Sequence, residues 1–190
     1  MESDDSDSDT SHTDKLILLN ERIGAKSLEK QELYISITYN SCVVGYLNAV
    51  IMDVGSLKAG GFRDDKLKCQ DKEIEDELLL FYNSLSSALD TQVIFYITDF
   101  FLEKEYRSLG IGGDVLNLLP KWLNIYHPEV NDLYLFPYPL EKSNGKVECV
   151  KEADPRKALE MRTKLIHFYI THGLQKTKTQ FLYMPIQSAA

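Results

Sequence analysis

Residues 105–114 read EYRSLGIGGD, which places three glycines within four positions, behind an arginine and ahead of a long apolar-periodic run. Glycine inside a helix costs about 0.5–1 kcal/mol relative to alanine, so a cluster at a helix start needs a reason. A strand that runs into a glycine-rich turn and then a helix N-terminus builds an anion site. The first N–H groups lack helical partners, the dipole favours negative charge, and no Cβ holds a phosphate off the backbone. Spacing narrows the ligand. A Walker loop needs GxxxxGK[ST], and no Lys-Ser or Lys-Thr follows these glycines. The dinucleotide pattern GxGxxG needs glycine at 115, which is Val115. What remains is Arg107-x-x-Gly110-x-Gly112. The plain alternative is a helix cap beside the core, although a cap needs one special residue and not three.

Other side chains with chemical potential are less well placed. His12 lies in a Ser/Asp-rich stretch, His127 precedes a proline, and His167 and His172 are five apart, the wrong spacing for two ligands on one helix face. No HExxH is present, so metal catalysis is not expected. Cys42, Cys69 and Cys149 are scattered and odd in number, which argues against a disulfide framework and a zinc site.

The rest of the chain has to position the glycine turn. Its 190 residues suffice for one domain with a sizeable core. No run of 18 uncharged apolar residues occurs, so no membrane-spanning helix is expected. Residues 1–14, MESDDSDSDTSHTD, are polar and acidic, unlike a signal peptide, and point to a cytoplasmic protein. They are expected to form a disordered tail before a folded domain over 15–190. That tail carries six of the 29 acids. Without it, 23 acids face 21 bases, and no Lys/Arg stripe favours nucleic acid.

Residues 33–39 and 43–52 are β-rich runs flanking Asn40-Ser41 and predict an antiparallel hairpin. Residues 15–30 fit a short helix or a strand, and 53–73 read as loop. Apolar spacing predicts a helix over 73–89. TQVIFYITDFFL (91–102) is apolar on both faces and predicts a central strand. The stripe from Val115 to Tyr126 predicts a helix that Pro120 kinks or divides. DLYLFPYP (132–139) predicts a strand ended by Pro137 and Pro139, followed by a polar loop. Asp154-Pro155 opens a helix that Gly173 stops near His172, and residues 180–186 predict a last strand. The order implies one mixed α/β domain.

With Arg107-x-x-Gly110-x-Gly112 in this setting, the chain resembles the GNAT superfamily of N-acetyltransferases, whose loop after the fourth strand reads (Gln/Arg)-x-x-Gly-x-(Gly/Ala). TDFFLEKEYRSLGIGGDVLNLL resembles the family's passage from strand to helix, and KLIHFYITHGL (164–174) resembles its FY…GF at the end of the last helix. The Asp-Phe-Phe is closest to the polyamine-type small-amine enzymes. Ser108 and Leu174 depart from the family's usual Gly and Phe. The resemblance covers about 33–186 and implies a GNAT fold, a mixed and mostly antiparallel central sheet flanked by helices.

It also implies acetyl-CoA as co-substrate and no metal. Arg107, Ser108, Leu109, Gly110, Ile111, Gly112 and Gly113 would hold the diphosphate. The backbone of Phe100, Phe101 and Leu102 would pair with the pantetheine arm, with the Leu102 N–H stabilising the oxyanion. Pro137 and Pro139 would keep the neighbouring strand from closing that gap. Tyr169 matches the family's general acid, and a phenol keeps its proton at neutral pH; packing with Phe168 in the core is the other reading. Asp99 is the expected base. Strict alternation puts it on a face with Phe95, Ile97 and Phe101, where apolar neighbours would raise its pKa; capping the next turn is the alternative. No cysteine lies in either motif, which disfavours an acyl-enzyme. The implied acceptor is a small cationic amine, with a protein N-terminus or lysine as rival and a non-catalytic acyl-CoA-binding module as a third reading. No nucleic-acid or membrane partner is expected, and a homodimer is left open.

Overall fold

The run VIFYITDFFL projects apolar side chains both ways, and a strand of that kind must be covered on both faces. The computed structural model describes residues 16–27, 29–59, 72–85, 92–150 and 155–186. In chain order the strands are β1 (Ile17–Lys26), β2 (Lys30–Tyr39), β3 (Cys42–Asp53), β4 (Val93–Leu102), β5 (Val130–Leu135), β6 (Leu140–Ser143), β7 (Lys146–Cys149), β8 (Gln175–Lys176) and β9 (Leu182–Pro185). The helices are α1 (Val54–Ala59), α2 (Lys72–Ser84), α3 (Ile111–Tyr126) and α4 (Pro155–Thr171).

Seven strands form one sheet in the order β1-β2-β3-β4-β5-β9-β8. β4 and β5 pair in parallel and all other neighbours are antiparallel. A parallel pair needs a crossover, and α3 supplies it. Phe95 and Ile97 join Leu116, Leu119 and Leu123 of α3 and Tyr169 of α4 in one core. Ile94 and Tyr96 join Leu57 of α1 and Leu78 and Phe81 of α2 in another. The expected class is therefore observed: a mixed, mainly antiparallel sheet with helices on both faces.

Most expected elements are present. The β2–β3 hairpin turns at Asn40 and Ser41, whose φ values are 46° and 68°, as a two-residue turn matched to strand twist requires. Residues 17–26 settle as strand, paired along β2. α4 stops just before Gly173, where φ is 94°.

Of the two outcomes expected at Pro120, division does not occur: the proline lies inside α3, where one helical hydrogen bond is lost while the buried Leu119, Trp122 and Leu123 hold both sides of it to the sheet. Two further expectations are corrected. The polar loop after 139 is the β6–β7 hairpin, turned at Asn144 and Gly145 with φ values of 50° and 78°. The stretch after 53 opens as α1. The tail 1–14, residues 60–71 and Asp154 lie outside the described residues.

Candidate functional site

β4 and β5 are paired from Val93↔Val130 to Ile97↔Leu135 and then part. β5 ends there, ahead of Pro137, as the proline pair predicts. On its other side β4 stays with β3, but the register jumps from Ala49↔Ile97 to Asn48↔Asp99. Thr98 is the extra residue of a β-bulge, and a bulge bends the strand that carries it. The bend and the parting coincide.

Beyond the bulge, the edge of β4 turned toward β5 has no ladder partner among the described residues. One bond shows which groups lie along it. Glu103 N–H donates to Val44 O on β3 at 2.9 Å, so alternation turns the N–H and C=O of Leu102 and Phe100 the opposite way, into the gap. Arg107 Nε, 2.8 Å from Leu102 O, approaches from that side.

The gap opens on a cleft of about 700 Å³ between the end of β4, the first turn of α3 and α4. Phe100, Phe101, Leu102, Arg107, Ser108, Gly110, Gly112 and Gly113 line it together with Tyr169. Two expected residues do not. Leu109 projects to solvent, and Ile111 is fully buried beneath the helix start with Val44, Leu102 and Val115.

The glycines divide their work. Gly110 caps α3 at φ 80°, a left-handed turn that a side chain would strain. A Cβ at Gly112 would lie 3.2 Å from the Phe168 ring, and one at Gly113 would lie 2.2 Å from His172 Nε2. α3 thus packs closely on α4 at both glycines: a side chain at Gly112 would press on the Phe168 ring, and one at Gly113 would displace the His172 imidazole that lines the cleft. The first α-helical bond is Asp114 N–H to Gly110 O at 3.1 Å, and no side chain caps the helix. The N–H groups of Gly112 and Gly113, which line the cleft, are left for it. Arg107 acts as a clip: Nε donates to Leu102 O and Nη2 to Leu140 O at 3.3 Å, with the guanidinium 5.1 Å from the Phe101 ring centre.

Tyr169 is 5% exposed, meets Phe168 edge to face, and borders both the core and the cleft. Burial pushes its phenol well above the ordinary value, so it holds its proton at neutral pH. His172 also lines the cleft. Its Nδ1 is 2.8 Å from Phe168 O, and a carbonyl only accepts, so Nδ1 carries a proton. A search for metal spacing passes over this histidine; its place on the 161-165-168-172 stripe of α4 is the signal that marks it.

Asp99 requires a correction. The bulge breaks strict alternation, so Asp99 does not share a face with Phe95 and Ile97. It pairs with Asn48 on the Tyr96 face and accepts from Asn48 Nδ2 at 3.1 Å and Thr98 Oγ1 at 3.3 Å. Its surroundings are polar and acidic. Tyr96 donates its O–H to Glu77 of α2. Burial pushes the Glu77 carboxyl up to about 7 and the nearby Asp99 charge adds to this, against the Tyr96 bond. Burial, then Asp99 and Glu103, push the Tyr46 phenol up to about 12. Sequence reasoning missed Glu77, an acid set among the apolar positions 74, 78 and 81 of α2. That position was the available signal.

No protein-family model matches this chain, and no curated protein matches it in sequence. Solved structures that it resembles include Tetrahymena GCN5 (7% identity over 86% of this chain and 72% of that one, TM-score 0.41). Arabidopsis thaliana NAA60 in complex with a bisubstrate analogue is another (11% identity, 85% and 79% covered, TM-score 0.40). Nourseothricin acetyltransferase is a third (10% identity, 92% and 86% covered, TM-score 0.37). Likeness at that level is one of outline and says nothing about what these residues do.

Proposed function

We propose that the chain is a GNAT-type N-acetyltransferase that moves the acetyl group of acetyl-CoA onto a primary amine by direct attack. The observation that carries this is the edge of β4 that has no ladder partner among the described residues, opened by the Thr98 bulge, in a cleft that ends on the start of α3, where no side chain caps the helix. An extended amide-bearing arm with a diphosphate at one end has the shape and the hydrogen-bonding groups for that cleft. Acetyl-CoA supplies the activated acyl group.

The chain's own residues divide the remaining tasks. The N–H groups of Gly112 and Gly113 receive the diphosphate. The backbone of Phe100 and Leu102 receives the arm, and the Leu102 N–H is aimed where a carbonyl oxygen gains charge. Tyr169 keeps its proton at neutral pH and gives it to the departing sulfur. Asp99, with Glu77 beside it, accepts the proton of the incoming ammonium from the opposite face of the sheet. A small amine that enters as a cation suits that acidic face.

Calorimetry with coenzyme A thioesters followed by a panel of primary amines tests the reading. Tyr169→Phe is expected to keep acetyl-CoA affinity and to lower kcat by about 10²–10⁴-fold, the usual weight of a general acid. Binding without turnover on any amine would mark a non-catalytic carrier-binding module. Absence of affinity for coenzyme A thioesters would end the proposal.

A further inference from the structure

Arg162 of α4 holds its guanidinium over an aromatic ring. Its Cζ lies 4.5 Å from the centre of the Phe136 ring. Its Nε is buried and has no hydrogen-bond partner among the described residues. Arginine cannot shed its charge, and a buried donor without an acceptor is costly. Arg107, by contrast, spends its donors on two backbone carbonyls.

The position of Arg162 gives the unused donor a meaning. Phe136 directly follows Leu135, the last residue of β5 paired with β4. Its ring belongs to the core on the Asp99 face and meets Tyr138, a cleft-lining residue, at 4.1 Å. α4 packs through Leu165, Phe168 and Tyr169 on the other core, and its Met161 lines the cleft. A guanidinium that starts on α4 and ends over Phe136 therefore reaches the chain just past the point where β5 parts from β4, behind the cleft wall that Met161 and Tyr138 form, since Arg162 itself does not line the cleft. Asp99 stands on the β4 side of the same split.

We infer that Arg162 receives a carboxylate of the acceptor, so that the acceptor is an amine that also carries a carboxylate group. Nε–H and one Nη–H form a planar fork that grips both carboxylate oxygens side-on, and the Phe136 face holds the plane of the fork. A carboxylate fits this half-buried place better than a phosphate dianion because it brings less charge to desolvate. The inference takes from the acetyl-transfer reading only the fate of the amino end; the carboxylate end is a binding claim that can be read without turnover.

The test compares unbranched ω-amino acids, from glycine to 5-aminopentanoate, with alkylamines of equal length. At one or more lengths, kcat/KM for the amino acid is expected to exceed that for the alkylamine by about 10- to 100-fold, the weight of a charge-assisted pair. Arg162→Gln is expected to erase that preference through KM while leaving the alkylamines unchanged, and Arg162→Lys to restore part of it. Equal use of both series by the unaltered protein overturns the inference, as does an equal loss on both series in Arg162→Gln. Should the protein transfer no acetyl group, ligand-observed NMR with the same amino acids decides. Saturable binding that Arg162→Gln abolishes upholds the inference while the acetyl-transfer reading falls; no saturable binding overturns it.

Discussion

Past Thr98 the two faces of β4 have opposite characters. On one, Phe100 and Leu102 meet α3 and α4 beside a helix start that favours negative charge. On the other, Asp99 stands with Asn48, Tyr46 and Glu77 among acids and phenols that favour positive charge. Before the bulge no such contrast exists, because Ile94 through Ile97 are buried in apolar cores on both sides. One inserted residue therefore coincides with both the opening between β4 and β5 and the change from core strand to two-sided site. An anionic carrier and a cationic amine would each find a matching face, with the opening between them.

Deleting Thr98 is the harshest way to break that contrast. Since 97 and 99 already pair with successive residues of β3, the deletion leaves every other side chain on its present face. It removes only the bulge and its bend. β4 should then run on beside the chain that leaves β5, and the cleft should close. The expected outcome is a folded protein, by circular dichroism and thermal melt, with no measurable affinity for acetyl-CoA. Retained affinity would mean that the prolines after β5, and not the bulge, hold the gap open.

A milder change sharpens the comparison on the acidic face. Glu77 titrates near 4.5 in the unfolded chain and is pushed up to about 7 in the fold. The folded state thus binds the proton more tightly. The stability linked to protonated Glu77 is complete below about pH 4.5 and is lost as pH rises through about 7. Glu77→Gln can still accept from Tyr96 but no longer titrates. Urea midpoints of the two proteins should agree near pH 4.5 and diverge as pH rises, to at most about 3 kcal/mol in favour of glutamine above pH 7. Parallel curves would show that water reaches this face freely and that the carboxylate is not confined.

How much of this contrast the sequence announced depends on range. Local signals were legible: the Asn40-Ser41 hairpin, the doubly apolar β4, the glycine turn and the stop at Gly173 each rest on residues within a few positions of one another. The bulge was not, because Thr98 is an ordinary strand residue and only its partners Ala49 and Asn48, some fifty positions away, make it the extra one. Alternation applied without that knowledge put Asp99 on the wrong face. The second duty of Gly112 and Gly113 was hidden for the same reason, since Phe168 and His172 reach them from another helix. The β6–β7 hairpin escaped notice because both strands are short, polar and half-exposed, so that no periodic apolar signal marks them.

That hairpin meets the chain just after β4 through Glu103 and the cleft through Leu140, and the weakest expected effect lies there. Lys142 Nζ is 2.5 Å from Glu103 Oε1, with side chains 44% and 33% exposed. Lys157 and Glu141 form a second surface pair at 3.6 Å. Exposed pairs contribute about 0.2–1 kcal/mol, whereas Arg107 ties Leu140 O and Leu102 O together through one side chain beside the cleft. The Arg107 clip should therefore hold the hairpin and the ion pairs should only trim it. Lys142→Ala is expected to lower stability by no more than about 1 kcal/mol at low salt, a difference that fades at high ionic strength as screening removes the pair's attraction. Acetyl-CoA affinity should barely move, because Lys142 does not line the cleft. A loss that persists in high salt would instead assign to Lys142 a packing role in bracing the end of β4, and with it a share in keeping the two faces apart.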